Sequence, residues 1–246
     1  MGDGLFGNPI TNSTLEGLPD YVDKKNIERK DRARVALNMK NAEEKSVRAG
    51  QYLQNMKEQC NGDLGGTLCL LYNATGDPIR YVTNKDFYEG HVGPTPYPIE
   101  IANGQWAAFL HVPKSTKSPY SVGAIVYRGK DPRGVDCDWM VSWDNATDKE
   151  TYRTKDNVIK CAFVCLFLFL SFYNFDKQKV QVYSEVREKD YFFSCDWEAI
   201  YKKTQVSGVC HDGVKDANNR HGCSLSASIG NSRFPILIAV FTLQDV

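Results

Sequence analysis

The sequence predicts a mainly β protein: an antiparallel β-sandwich preceded by a helical pair and carrying a short helix near its C-terminus. Three observations carry this. Residues 104 to 143 contain three apolar and aromatic runs, GQWAAFLHV, SVGAIVYRG and DCDWMVSW, separated by Pro, Ser, Gly and Asp. Each run has strand composition, and the residues between them are turn formers. Further short strands follow the same plan without alternating with helices, which argues against a doubly wound parallel sheet.

The elements follow in chain order. Residues 1 to 22 read as an irregular arm, and residues 23 to 62 as the helical pair. In the first helix (27 to 41), Ile27, Ala33, Ala36 and Leu37 fall on one side; in the second (46 to 59), Ala49, Tyr52, Leu53, Met56 and then Cys60 recur at helical spacing. Ser46 is the expected cap of the second helix. From residue 63 onward the chain reads as sandwich. TLCLLYN and IRYVTN are strands around an NATGDP turn, the 104 to 143 block supplies three consecutive strands of one sheet, DWEAIYKKT (196 to 204) is a short helix, and CSLSASIG and PILIAVFTL close the fold.

One stretch departs from the plan. Residues 158 to 175, VIKCAFVCLFLFLSFYNF, are the most apolar of the chain, yet Lys160 and Asn174 limit the uninterrupted part to 161 to 173. That is short for a membrane span. Three readings compete: a membrane or interfacial segment, a buried strand pair, and translated intron. The last is favoured. Val codons begin GT, Gln181 can be encoded CAG, removing 158 to 181 keeps the frame, and the join of Asn157 to Val182 reads as turn then strand.

Composition bounds the function. Lys plus Arg and Asp plus Glu are 30 each, so the net charge is zero, and no basic excess points to nucleic acid. The N-terminus has neither a basic nor an apolar signal region, so a cytoplasmic protein is expected, membrane-associated if 158 to 175 is genuine. The sequons at Asn12, Asn73 and Asn145 are then silent, and the eight cysteines are free thiols. Cys137, between Asp136 and Asp138, is a poor nucleophile because two carboxylates raise a thiol pKa. His111 has no visible base beside it. Cys210, His211, His221 and Cys223 supply zinc-type ligands around a polar loop, but their spacing fits no standard module. They are weak candidates; no metal and no cofactor is expected. No P-loop, nucleophile elbow or HExxH is present, so the expectation is a non-enzyme. Phe87, Tyr88, Tyr97, Tyr120 and Trp143 fall at turns or strand ends, where amphipathic rings can meet a lipid headgroup or a sugar.

Several segments carry a family resemblance. NPITNSTLEGLP, DRARVALNMKNAE, LCLLYNATGDPIRYVT, the 104 to 145 block and VYSEVRE together resemble the 23 kDa jasmonate-induced proteins of plants, over nearly the whole chain except 158 to 181. More remotely, the chain is similar to sandwich proteins of the actinoporin and nakanori type, with Ser142-Trp143-Asp144-Asn145 where those have Trp-Ser-Asn-Pro. The first resemblance implies a stress-response protein of unsettled activity. The second implies the fold and recognition of sphingolipid-containing membranes, without the long amphipathic pore helix. A membrane lipid or a glycan is thus the expected partner, with a ligand-free structural protein and a membrane-anchored protein as the rivals. The sequence does not set the oligomeric state.

Overall fold

A computed structural model describes residues 4–60, 65–88, 90–115, 120–146, 180–212 and 222–246. These form two sheets face to face, with helices on both outer sides. The first sheet has seven strands: β1 (Leu5–Phe6), β6 (Trp106–Val112), β2 (Thr67–Ala74), β12 (Ile236–Leu243), β11 (Cys223–Ile229) and β10 (Cys210–Asp212) in that order, with β4 (His91–Val92) also on β6. The second has five, in the order β5 (Glu100–Ile101), β3 (Ile79–Phe87), β7 (Tyr120–Lys130), β8 (Asp136–Ala146) and β9 (Gln181–Glu188). The helices are α1 (Asn12–Glu16), α2 (Arg29–Asn38), α3 (Lys45–Gln59), α4 (Tyr191–Ser194) and α5 (Trp197–Ser207).

Side chains alternate across each strand, and here both faces are covered. On β2, Cys69 and Leu71 enter the core between the sheets, while Leu68, Leu70 and Tyr72 pack under α2 and α3 against Val35, Ala49, Leu53 and Met56. On β7, Ile125 and Tyr127 face inward, and Ala124 and Val126 pack under the C-terminal helices against Phe192 and Ile200. This is why β2 and β7 read as nearly continuous apolar runs rather than alternating ones. Two tryptophans of β8 fill the inter-sheet core over glycines of β7. A Cβ on Gly123 would lie 2.8 Å from the Trp143 ring, and one on Gly129 would lie 2.4 Å from Trp139. The small residue on one strand is what admits the large one on the next.

The predicted sandwich and helical pair are present, with four corrections. The three strands of the 104 to 143 block do not share a sheet: β6 lies in the first, β7 and β8 in the second. Pro113, which has no N–H to donate, stands just after β6, where the chain crosses between sheets. The sheets are not wholly antiparallel, since β12 runs parallel to β2. The arm is not irregular: β1 adds to the edge of β6, and Ile10 and Leu15 bury in the helix-facing core. Helix α3 begins one residue before Ser46, after Glu43 and Glu44, both at positive φ (55° and 54°).

Helix α2 is clamped rather than merely laid on the sheet. Arg29 donates to the carbonyls of Thr75 (2.9 Å), Asp131 (2.5 Å) and Lys130, and Arg32 donates to Gly76 O and Asp77 (both 2.8 Å). In the NATGDP turn the Asn73 side chain is fully used, donating to Asp77 O (2.9 Å) and Ile101 O (2.8 Å) and accepting from Thr75. Asn73 and Asn145 are buried, so two of the three sequons have no accessible amide. Helix α5 starts on Asp196, whose carboxylate accepts from the backbone of Glu198 and Ala199, satisfying orphan first-turn donors.

Of the apolar 158 to 181 segment, residues 158–179 lie outside the described residues. Val180 and Gln181 lie within them, both buried, and Gln181 opens β9 opposite Asp144. Among the described residues, no helix is long and apolar enough to cross a membrane.

Candidate functional site: an aromatic end of the second sheet

Three of the five predicted site residues meet at one end of the second sheet. Phe87 closes β3, Tyr88 follows it, and Tyr120 opens the neighbouring β7. The fourth member is Tyr201 of α5. Its ring stacks on Phe87 (5.1 Å between centroids) and meets Tyr88 edge-on (5.7 Å), and Tyr88 leans on Tyr120 (5.5 Å). The Tyr201 hydroxyl accepts from Gln205 (2.8 Å) and is hydrogen-bonded to Tyr88 and Asp144. Burial, then these neighbours, push its pKa well above that of free tyrosine. Tyr201 anchors the cluster and Tyr88 presents it: the former is nearly buried, the latter 50% exposed.

Tyr88 also bends the backbone. Its φ is +51°, a left-handed conformation that an L residue with an aromatic side chain rarely adopts. Such conformations persist only where the surroundings hold them, and they gather at ligand-contacting positions.

The other two predicted residues belong to the interior. Trp143 is fully buried, edge-on to His111 (5.1 Å). Tyr97 is stacked on Tyr81 (5.8 Å) and edge-on to Phe109 (5.0 Å), with its hydroxyl on Asp86 (3.4 Å). Both sit near strand ends in sequence, but the sheets close over Trp143, and Tyr97 packs half-buried against the inter-sheet core. The metal candidates also separate. Cys210 pairs with Ser228, five residues along β11 from Cys223, or about 17 Å of strand. Cys223 is buried with its sulfur 3.7 Å from that of Cys137, and this contact, then burial, drives the Cys137 pKa far up. His221 and the side chain of His211 lie outside the described residues. Among the described residues, no three metal-ligating side chains come together.

Behind the aromatic end lies a polar row that sequence spacing does not reveal. His111 Nδ1 meets Ser121 Oγ at 2.9 Å, and Nε2 meets Asp86 Oδ1 at 3.3 Å. These are the residue types of a hydrolytic triad, but the arrangement does not serve as one. Ser121 is fully buried, its hydroxyl donates to the His111 carbonyl (3.0 Å), and Thr67 holds it from the other side (2.8 Å). No face of Ser121 is left for a substrate. The row ties β3, β6, β7 and β2 together. Burial lowers the His111 pKa, with Asp86 opposing.

Sequence comparison adds the family. The profile of the Nakanori-like proteins matches residues 6–159, more than half of the chain. The chain belongs to the Nakanori-like family. A 23 kDa jasmonate-induced protein of Hordeum vulgare is 43% identical over 144 residues, covering 58% of this chain and 67% of that one. The crystal structure of the lipid-binding protein Nakanori superposes with a TM-score of 0.73 at 24% identity, over 96% of this chain and 98% of that one. The Nakanori-like sandwich is therefore the fold of this chain.

Proposed function

We propose that this Nakanori-like protein is a non-enzymatic stress-response protein that recognises a membrane lipid headgroup at the aromatic end of its second sheet. The observation that carries the reading is Tyr88: half-exposed, at positive φ, and buttressed by Tyr120 and Tyr201. An amphipathic ring in that position can enter the interface of a bilayer while its hydroxyl stays among headgroups. The jasmonate-induced relative supports the stress setting, and the structural similarity to a lipid-binding protein supports the ligand class.

The test is co-sedimentation with sphingolipid-rich vesicles, with phosphatidylcholine vesicles as the comparison. The double variant Tyr88→Ala/Tyr120→Ala is expected to bind about tenfold more weakly, a loss of ~1.4 kcal/mol. Binding by the double variant equal to that of the unaltered protein would remove the aromatic end from the mechanism. Failure of the unaltered protein to prefer any vesicle would favour a ligand-free structural role.

A further inference from the structure

A row of charges crosses the outer face of the second sheet at the end remote from Tyr88. Register sets Glu100 beside Arg80, Arg80 beside Arg128, Arg128 beside Asp138, and Asp138 beside Arg187. Two guanidinium groups thus occupy directly facing positions, which costs stability in a sheet. Flanking acids offset part of this. Arg80 Nε donates to Glu100 at 2.8 Å, and Arg128 grips Asp138 with two bonds (2.7 and 2.9 Å) and Asp190 with one (2.7 Å). These bonds leave both terminal nitrogens of Arg80 and one of Arg128 without a protein partner among the described residues.

Both arginines line one open cavity of about 700 Å³, together with Lys130, Asp77, Asp136 and Phe193. The two acids are already engaged. Asp77 is met by Arg29 (3.3 Å) and Arg32 (2.8 Å), and Asp136 by Lys130 (3.2 Å) and Lys189 (3.4 Å). The unspent donor capacity of the cavity is therefore cationic. Phe193 of α4 is 63% exposed at its wall, an apolar ring left in water.

We infer that this cavity is a second ligand site, which takes a sugar bearing an oxyanion. The guanidinium forks of Arg80 and Arg128 suit a sulfate, phosphate or carboxylate group, and the Phe193 ring suits the apolar face of the sugar that carries it. The volume falls within the range of small-ligand sites. Arg80 and Phe87 are seven residues apart on β3, about 23 Å. The site is separate from the aromatic end, so this inference does not rest on the lipid reading.

Calorimetric titration with a sulfated disaccharide tests it, with the unsulfated disaccharide and sodium sulfate as parallel arms. The sulfated sugar is expected to bind and the neutral one to bind at least about tenfold more weakly, ~1.4 kcal/mol. Arg80 is 76% exposed, so Arg80→Gln should fold normally, and it is expected to weaken binding by about tenfold or more, the loss of one charge-assisted bond. Phe193→Ala should weaken the sulfated sugar and leave sulfate alone unaffected. Tyr88→Ala/Tyr120→Ala should bind the sugar unchanged. Equal binding of sulfated and neutral sugars, an unaltered Arg80→Gln, or sulfate binding as tightly as the sulfated sugar would each overturn the assignment.

Discussion

Trp143 and Tyr88 are aromatic residues at the same end of the same sheet, and they do opposite things. Trp143 points inward from a regular strand, over a glycine and against His111. Its surroundings are shaped to it. Tyr88 stands outside with its backbone at positive φ, half in solvent. There the backbone bears the strain and the ring stays accessible. Aromatic rings of the interior should therefore govern stability, and those of the end should govern binding.

Substitutions in the interior should cost the most stability. Trp143→Ala should destabilise by about 3–5 kcal/mol in urea unfolding, the range for removing a buried large aromatic. Gly123→Ala should cost about 1–3 kcal/mol, because its Cβ would lie 2.8 Å from the Trp143 ring. The double variant should cost less than the sum, since removing the indole vacates the space the methyl needs. Additive losses would show that Gly123 and Trp143 are not a packed pair. Trp143→Phe should lose less than Trp143→Ala, because the phenyl ring keeps much of the buried volume, and no hydrogen bond of Trp143 Nε1 among the described residues is lost in either. Tyr97→Ala belongs with these: it should destabilise by about 2–3 kcal/mol and leave vesicle binding per folded molecule unchanged.

Much of this interior was legible in sequence. The Gly123–Trp143 pair lies in two adjacent runs, SVGAIVYRG and DCDWMVSW, and their strand character follows from composition alone. The helical pair showed in its spacing, and Asp196 stood at the start of the C-terminal helix. Sheet membership was not legible, because local pattern is the same whether β6 pairs with β7 or crosses away from it. The site was half legible for the same reason. Phe87, Tyr88 and Tyr120 could be picked as aromatics at strand ends, but nothing local separates them from Trp143, which tertiary closure buries, or from Tyr97, which it packs half-buried against the core. Tyr201 went unnoticed because it sits within a helix and joins the cluster only through the packing of α5 on the sheet. His111 gained its partners, Asp86 and Ser121, from two other strands.

That buried row yields a pH dependence that the open end should not show. Burial depresses the His111 pKa below its ordinary 6.5, against the opposing pull of Asp86 and with a small push from His91. The unfolded chain therefore takes up its proton first as pH falls. The stability that neutral His111 contributes is present above pH 6.5 and is lost as pH drops through that value toward the folded pKa. Unfolding free energy measured from pH 7.5 to 5.5 should fall, and His111→Gln should flatten the slope in that window. Asp86 has a lowered pKa, with His111 and Asn84 among the groups that hold it ionised against burial, so its own contribution is lost only at more acidic pH. An unchanged slope in His111→Gln would assign the dependence to other groups.

At Tyr88 a substitution should barely move stability and still weaken binding. Tyr88→Gly removes an aromatic ring that contacts Tyr120 and Tyr201, a loss if packing ruled here as it does at Trp143. Glycine also takes φ +51° without steric cost, where tyrosine is strained by about 1–3 kcal/mol. The two contributions oppose, and the ring is half exposed, so the net change should lie within about 1 kcal/mol of zero. Vesicle binding should fall despite the intact fold. If Tyr88→Gly instead unfolds as readily as Trp143→Ala, the ring is a structural cap on the sheet. If it keeps both stability and binding, the strain at Tyr88 serves neither the fold nor the membrane.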